Sequence, residues 1–447
     1  MRFKAHKMTT KKIVFFLLLV GFQLSAQSKK WTLEECVDYA IKNNISIKQS
    51  ELDLKTTDID KLEAIGGFLP TLNGNANYSM NTGASINPVT NQFQNETFKS
   101  MSASANSGIM LFNGLANWKT LQRAKLSKIA NSYRLDKMKD DIALSIANSY
   151  LQILFNKEQL KVQKNQNLIT KENIKRTQEL IQAGSLPAGD IYELQATDAS
   201  QEQQIVNTEN ALLIAKIGLC QTLLLEDYAN FDISDEVMDL PMTDMTNETQ
   251  ESILEKAKES VKDVKIAMAN VDVAKKDVAL SRSSYLPTLT GFLGYNTRWA
   301  ESIPFNFIDQ LTLFDGTAVG LQLNVPILNG FATRGRVQRA KINQERSEFQ
   351  LKQAELDLER NVYQAYNDVI NAKKSFEAAK KTLEARKQSF NFSKERYEVG
   401  LMNSFDFSQS TIAFENAQSE VLRTKYDYLF RTKILEFYFG IPLVKKQ

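Results

Sequence analysis

Histidine occurs once in this chain, at His6. A protein whose sole imidazole stands among its first residues lacks the usual general base and the commonest metal ligand everywhere else. Cysteine occurs twice, at Cys36 and Cys220. Two are too few to define a disulfide framework, and a single bridge and a pair of buried thiols are both open. Neither a Gly-rich phosphate loop nor a serine nucleophile elbow is present. Carboxylate or lysine chemistry is possible in principle, but no pattern organises it, so the expectation is neither an enzyme nor a cofactor protein. Long apolar runs are also missing apart from "IVFFLLLVGFQLSA". That run is too short to span a bilayer, follows a Lys/Arg cluster and ends on the small Ala26, which reads as a secretory signal over residues 1–26. Cys is absent just after it, which excludes bacterial lipid attachment there. Removing the signal takes the 55 basic residues to 50 and leaves the 52 acidic ones untouched. A near-neutral chain gives no electrostatic support for a nucleic-acid partner. The expected workplace lies outside the cytoplasm.

What the chain does contain is alternation. In "TLNGNANYSM", Thr71, Asn73, Asn75, Asn77 and Ser79 alternate with Leu72, Gly74, Ala76, Tyr78 and Met80. Period two sends successive side chains to opposite faces of a strand, although Asn is a poor strand former. Ser100, Ser102, Ser104 and Asn106 alternate with Met101, Ala103 and Ala105, and Gln322 and Asn324 with Leu321, Leu323 and Val325. Four strands are expected, over residues 69–82, 98–112, 285–299 and 315–328. Tyr78, Phe98, Tyr295, Trp299 and Phe314 fall toward their loop ends. Such segments with aromatics near the ends are the weak signature of a transmembrane barrel wall, and any one alone fits a globular sandwich better. It is four of them in an exported chain with no other sheet that favour the barrel. The expected lumen face carries Thr71, Asn73, Asn75, Asn77, Ser79, Ser102, Ser104, Asn106, Gln322 and Asn324, with the apolar face toward lipid. Four strands leave open edges that lipid cannot satisfy, so several chains must pool theirs. Two chains would give an eight-stranded barrel filled by side chains, and three would give twelve strands around water.

The chain also repeats itself. "FLPTLNGNANY" (68–78) returns as "YLPTLTGFLGY" (285–295), and "LFNGLANWKTLQRAKL" (111–126) as "ILNGFATRGRVQRAKI" (327–342). "LIQAGSLPAGDIYELQA" (180–196) answers "RYEVGLMNSFDFSQST" (396–411), setting Gly184 over Gly400 and Asp190 over Asp406. Three ordered matches at an offset of 217 or 216 residues mark an internal duplication. Repeat 1 is expected over 27–230 and repeat 2 over 248–447, joined by an aperiodic acidic linker at 231–247. Residues 115–183 contain neither Gly nor Pro, and 331–399 only Gly335. Each run could build a helix roughly 100 Å long. The long helices are expected at 114–183 and 330–399, and returning helices at 187–225 and 404–439. Ile142, Ile146, Tyr150 and Leu154 form one stripe, with Ala143, Ala147 and Leu151 beside it.

The duplicated "LPTL" and "NG" junctions, the "QRAK" runs at 122–125 and 338–341, and the two Gly-to-Asp turns together resemble the TolC family of outer-membrane efflux and secretion ducts. The resemblance covers the whole chain after the signal. It implies an α+β membrane protein, a homotrimer with a twelve-stranded barrel in the outer membrane and a helical barrel in the periplasm. The partners it implies are a periplasmic adaptor and an inner-membrane pump of the RND or ABC type, together with outer-membrane lipid. Its implied role is the exit duct for small molecules, with a type I protein-secretion duct as the alternative of the same shape. A soluble periplasmic coiled-coil adaptor is the rival of another class. The resemblance also implies a constricted periplasmic aperture at the turns 183–190 and 399–406, where Asp190 and Asp406 match the family's entrance Asp. Two readings stand for these carboxylates. One has them cap helix starts, with Ser185 or Asn403 assisting; the other has three copies ring a narrow pore and favour cations. Gln409 and Met402 or Asn403 replace charged residues of some relatives, which implies a less charged and less tightly latched aperture.

Overall fold

A computed structural model describes residues 30–86, 91–235 and 248–441. The expected signal segment and residues 236–247 of the expected linker lie outside the described residues. The chain divides into two compact units, one of residues 49–136 and 262–356 and the other of the remainder.

The first unit is built on a four-stranded antiparallel sheet in the order β2-β3-β5-β6, with β2 at Thr71–Ile86, β3 at Phe93–Asn113, β5 at Thr288–Ala300 and β6 at Gly316–Asn324. Helices α2 (Ile45–Gly66) and α6 (Lys262–Ser283) precede β2 and β5. Pro70 and Pro287 stand immediately before the two strands, because proline disfavours the helical conformation in the residue ahead of it. The second strand of each repeat runs into a long helix, α3 (Ala116–Gln182) after β3 and α8 (Ala332–Glu398) after β6. The repeated "NG" is what makes that junction. Gly114 and Leu115 both adopt positive φ, at 64° and 63°, as do Gly330 and Phe331 at 57° and 64°. At Gly114 a Cβ would also lie 2.6 Å from the Ser283 carbonyl oxygen, so glycine alone fits. Asn113 then accepts from the Asn117 backbone N–H at 3.3 Å and starts α3. The "QRAK" run fastens α3 to α6, since Lys276 donates to Gln122 and Arg123 pairs with Asp277 at 2.5 Å.

Several strand limits differ from expectation. The first hairpin continues outward as far as Ile86 opposite Phe93, supported by the Thr82–Thr97 hydroxyl contact at 3.0 Å. The fourth strand ends at Asn324, not 328, because Pro326 has no N–H to give the ladder. In the first repeat Met110 takes that place, and β3 continues to Asn113 across a bulge between Met110 and Phe112. A helix that the alternating pattern hides, α7 (Phe307–Leu313), sits between β5 and β6.

The second unit is helical. Thr32 and Glu35 form a reciprocal capping box that starts α1 (Leu33–Asn43), with bonds of 3.1 and 3.2 Å. The returning helices are α4 (Asp190–Leu223) and α9 (Ser404–Tyr438), and α5 occupies Gln250–Ser260. The linker is not wholly aperiodic: β4 (Asp232–Ile233) pairs in parallel with β1 (Lys30–Trp31). Both rest on a core that joins α1, α3, α4 and α9 through Val37, Ile146, Tyr150, Leu154, Leu219 and Leu429. The stripe read from the sequence is thus the one buried. Tyr150 Oη reaches the carbonyl oxygens of Trp31 and Ser234 at 3.2 and 3.1 Å. Cys36 and Cys220 are both buried in this core, and burial pushes the Cys220 thiol up to about 11. Among the described residues, no helix is long and apolar enough to cross a membrane, which says nothing of a β-barrel.

Candidate functional site

The sheet has two chemically distinct faces. Asn73 stands opposite Asn106, Asn75 opposite Ser104, Asn77 opposite Ser102 and Ser79 opposite Ser100. Residues directly opposite in an antiparallel pair share a face. Ser104 continues to Asn296 and Asn106 to Gly294 on β5, while Thr290 and Thr288 bring in Gln322 and Asn324 on β6. All ten residues expected on the polar face therefore fall on one side, Thr71 included. The hydroxyls of Ser79 and Ser100 lie 2.8 Å apart, and Asn106 donates to Ser104 at 3.3 Å. Gly294 makes room for Asn106, whose Oδ1 would be only 3.1 Å from an added Cβ. Arg298, which the alternation did not single out, stands on this face opposite Ser102. Phe98 falls here too, opposite Asn81. The other face carries Leu72, Tyr78, Met80, Leu293, Tyr295, Trp299, Val319, Leu321 and Leu323. It is bare: Leu72 is 77% exposed and Val319 80%. Within the chain β2 and β6 are the sheet's edges.

The two Gly-to-Asp turns come together in the helical unit. Gly184 and Gly400 adopt φ of 71° and 73°. Each closes a Schellman turn, with Ser185 N–H donating to the Leu180 carbonyl at 2.9 Å and Leu401 N–H to that of Arg396 at 2.8 Å. Beyond them Leu194, Phe390, Tyr397 and Phe407 form a small shared core. The Tyr397 and Phe407 rings stack at 4.6 Å and 5°.

The two Asp residues differ. Asn403 caps α9: its Oδ1 accepts from the Asp406 N–H at 2.8 Å, and its Nδ2 donates to the Asp406 carboxylate at 2.9 Å. Asp190 opens α4 behind Gly189, which supplies no side-chain cap, so Ser185 does not take the capping role considered for it. Burial raises the Tyr397 phenol above its ordinary range, the Thr177 hydrogen bond opposes this, and the Asp190 charge adds to the rise.

Sequence reasoning missed the buried polar contacts above these turns. Thr197 and Ser408 hydroxyls lie 2.9 Å apart. Gln201 donates to Glu415 at 2.6 Å, and Gln166 to Gln418 at 2.5 Å. Burial pushes the Glu415 carboxyl up to about 7, against the Gln201 hydrogen bond. The signal that could have found them is on α3, where Asn156, Gln163, Thr170 and Thr177 recur every seven residues and are all buried.

A family model described as outer membrane efflux protein matches residues 36–223 and 253–440, one stretch per repeat. The chain belongs to the outer membrane efflux protein family. Membership bears out the TolC-type resemblance, and it places the chain in the outer membrane with an extension into the periplasm. The efflux-family fold recurs in solved structures. The CmeC outer membrane channel of Campylobacter jejuni superposes with a TM-score of 0.79 at 17% identity, covering 91% of this chain and 85% of that one. The outer membrane protein VceC of Vibrio cholerae gives 0.77 at 13%, covering 91% and 96%. By sequence the chain is 23% identical to the proteases secretion protein PrtF of Dickeya chrysanthemi over 53% of this chain and 50% of that protein. The chain thus spans about half the length of the curated relatives it matches.

Proposed function

We propose that three copies of this chain form one outer-membrane channel. It serves as the exit duct through which a periplasmic adaptor and an inner-membrane pump, of the RND or ABC type, discharge small molecules. The observation that carries the reading is the two-faced register of a four-stranded sheet with both edges open. In hydrocarbon an open edge leaves N–H and C=O groups unsatisfied, so β6 of one copy pairs with β2 of the next until the cylinder closes. Three copies supply twelve strands, enough for a water-filled lumen lined by the Asn and Ser face. Exposed Leu52 and Ile59 on α2, and Ile342, Phe349 and Leu356 on α8, each recur at seven-residue steps, as they would beneath a neighbouring copy. Asp190 and Asp406, present three times each, border the aperture and favour cations. The duct has no chemistry of its own; the pump supplies the energy. A second reading, an exit duct for secreted protein, is favoured by the likeness to a proteases secretion protein.

The test is reconstitution of the purified chain in planar lipid bilayers after chemical cross-linking. Trimers that need detergent and conduct in discrete steps are expected. A monomer stable in plain buffer that opens no conductance overturns the proposal. Restoring export of a small dye, as opposed to a protease, in cells lacking their own duct separates the two readings.

A further inference from the structure

The connection between the first two strands, from Ile86 to Phe93, is six residues long, whereas that from Ala300 to Gly316 is fifteen. The extra length folds into α7 and is not needed to close a hairpin. Its fixing to the sheet is specific. Asn306 caps it, accepting from the Asp309 N–H at 2.8 Å. Gln310 is fully buried beneath it: its Oε1 accepts from Ala300 N–H at 2.9 Å and its Nε2 donates to the carbonyls of Ile303 and Phe305. The Thr297 hydroxyl donates to the Leu311 carbonyl at 2.7 Å, and Trp299 meets the Phe307 ring at 5.9 Å. Thr297 and Trp299 share their face with Leu293 and Tyr295. The helix therefore lies on the apolar side of the sheet, at the end remote from the "NG" junctions. Its own exposed surface is amphipathic: Ile308 is 70% exposed and Leu313 59%, beside exposed Asp309 and Thr312, and Phe305 just ahead of the helix is 51% exposed.

Strand β5 pairs with β3 to its end at Ala300 but with β6 only as far as Asn296 opposite Gly316, so α7 covers a stretch of β5, Thr297–Ala300, that β6 does not reach. Lipid fits the outer surface of α7, because the apolar sheet face continues directly into the helix at the level of Trp299, a residue suited to the membrane–water boundary. We infer that α7 is an interfacial anchor, lying in the outer leaflet with Ile308 and Leu313 at the boundary between headgroups and acyl chains. The inference rests on the proposed lipid contact of the apolar sheet face. It adds a fixed point that resists sliding of the barrel along the membrane normal.

Nitroxide labelling of the full chain tests it in vesicles of phosphatidylcholine and phosphatidylglycerol. Cys36 and Cys220 are wholly buried, so a maleimide or methanethiosulfonate label goes to an introduced cysteine. Ile308→Cys and Leu321→Cys are compared for collision with oxygen, which concentrates in lipid, and with a water-soluble nickel chelate. Both sites are expected to favour oxygen severalfold over a label at exposed Asn91, with Ile308 shallower than Leu321. Lipid contact at Leu321 with nickel access at Ile308 overturns the anchor alone. Shielding of Ile308 from both reagents also overturns it, since protein then covers the helix. Nickel access at Leu321 refutes the lipid-facing sheet, and the anchor with it.

Discussion

The hydroxyl of Tyr397 on α8 lies 2.8 Å from the hydroxyl of Thr177 on α3, in a buried contact just above the paired turns. Thr177 also donates to the Asn173 carbonyl at 2.8 Å, so Thr177 serves as acceptor and Tyr397 as donor. Tyr397→Phe keeps the ring stacked on Phe407 and removes only that donor. A loss of about 1 kcal/mol is expected. Phe407→Ala empties a site that is 1% exposed, and about 3–5 kcal/mol is expected. Hydrogen exchange at 174–190 and 397–410 should rank the two variants in that order; equal effects would refute the shared aromatic core.

Glu415 ties stability to pH in an unusual direction. Its folded-state carboxyl titrates at about 7 against an ordinary 4.5, because burial disfavours the charge. The contribution is therefore fully present below pH 4.5 and is lost as pH rises through 7. Glu415→Gln keeps the acceptor for Gln201 and cannot ionise. It should stabilise the protein at pH 8 by about 1–2 kcal/mol once partial solvent access is discounted, and change little at pH 4. Thermal midpoints at the two pH values decide it, and an equal shift at both would exclude titration of Glu415 as the cause.

The pairing of β1 with β4 should behave in the opposite way. Burial works to raise the Asp232 carboxyl, but Lys157 at 2.7 Å and Lys216 at 2.9 Å outweigh it and hold it low. Lys157 and Lys30 do the same for Asp235. Lowered carboxyls contribute above their unfolded-state range and lose that contribution as pH falls. Asp232→Asn should depress the thermal midpoint at pH 7, with the gap to wild type closing toward pH 3.

The two turn carboxylates, Asp190 and Asp406, are separable by their caps. Asn403→Ala removes the cap of α9 at a cost of about 1 kcal/mol while keeping every charge. Asp406→Ala removes charge and cap partner together, and Asp190→Ala removes charge alone. In planar bilayers, divalent-cation block should weaken in both Asp variants and persist in Asn403→Ala. Unchanged block in the Asp190/Asp406 double variant would reduce both residues to helix-start roles.

Face assignment is checked by thiol access. Asn75→Cys should react with a small hydrophilic thiol reagent in reconstituted vesicles, and Ala76→Cys should resist it. The reverse would place the sheet the wrong way round in the membrane.

Alternation at 71–80 and 318–325 was legible because strand geometry is local: a period of two fixes which side chains share a face before any partner is chosen. The junction glycines and the turn glycines were legible for the same reason, since a positive φ is a property of one residue. The buried polar contacts were not. Asn156, Gln163, Thr170 and Thr177 recur every seven residues, but what covers them is set by other helices, as with Tyr397 over Thr177, 220 residues away. Helix α7 was hidden likewise, because its reason for forming is Gln310 filling a cage of backbone groups that only the folded loop creates.

By itself, then, the order of residues determined the duplicated elements, the two faces of the sheet and the family to which the chain belongs, because alternation, glycine turns and a recurring order of motifs are all written along the chain itself. Tertiary structure decided that Cys36 and Cys220 are buried in one core, that Asn403 and not Ser185 caps at the turns, and which polar groups are buried together, because each depends on what the rest of the chain brings within a few ångströms.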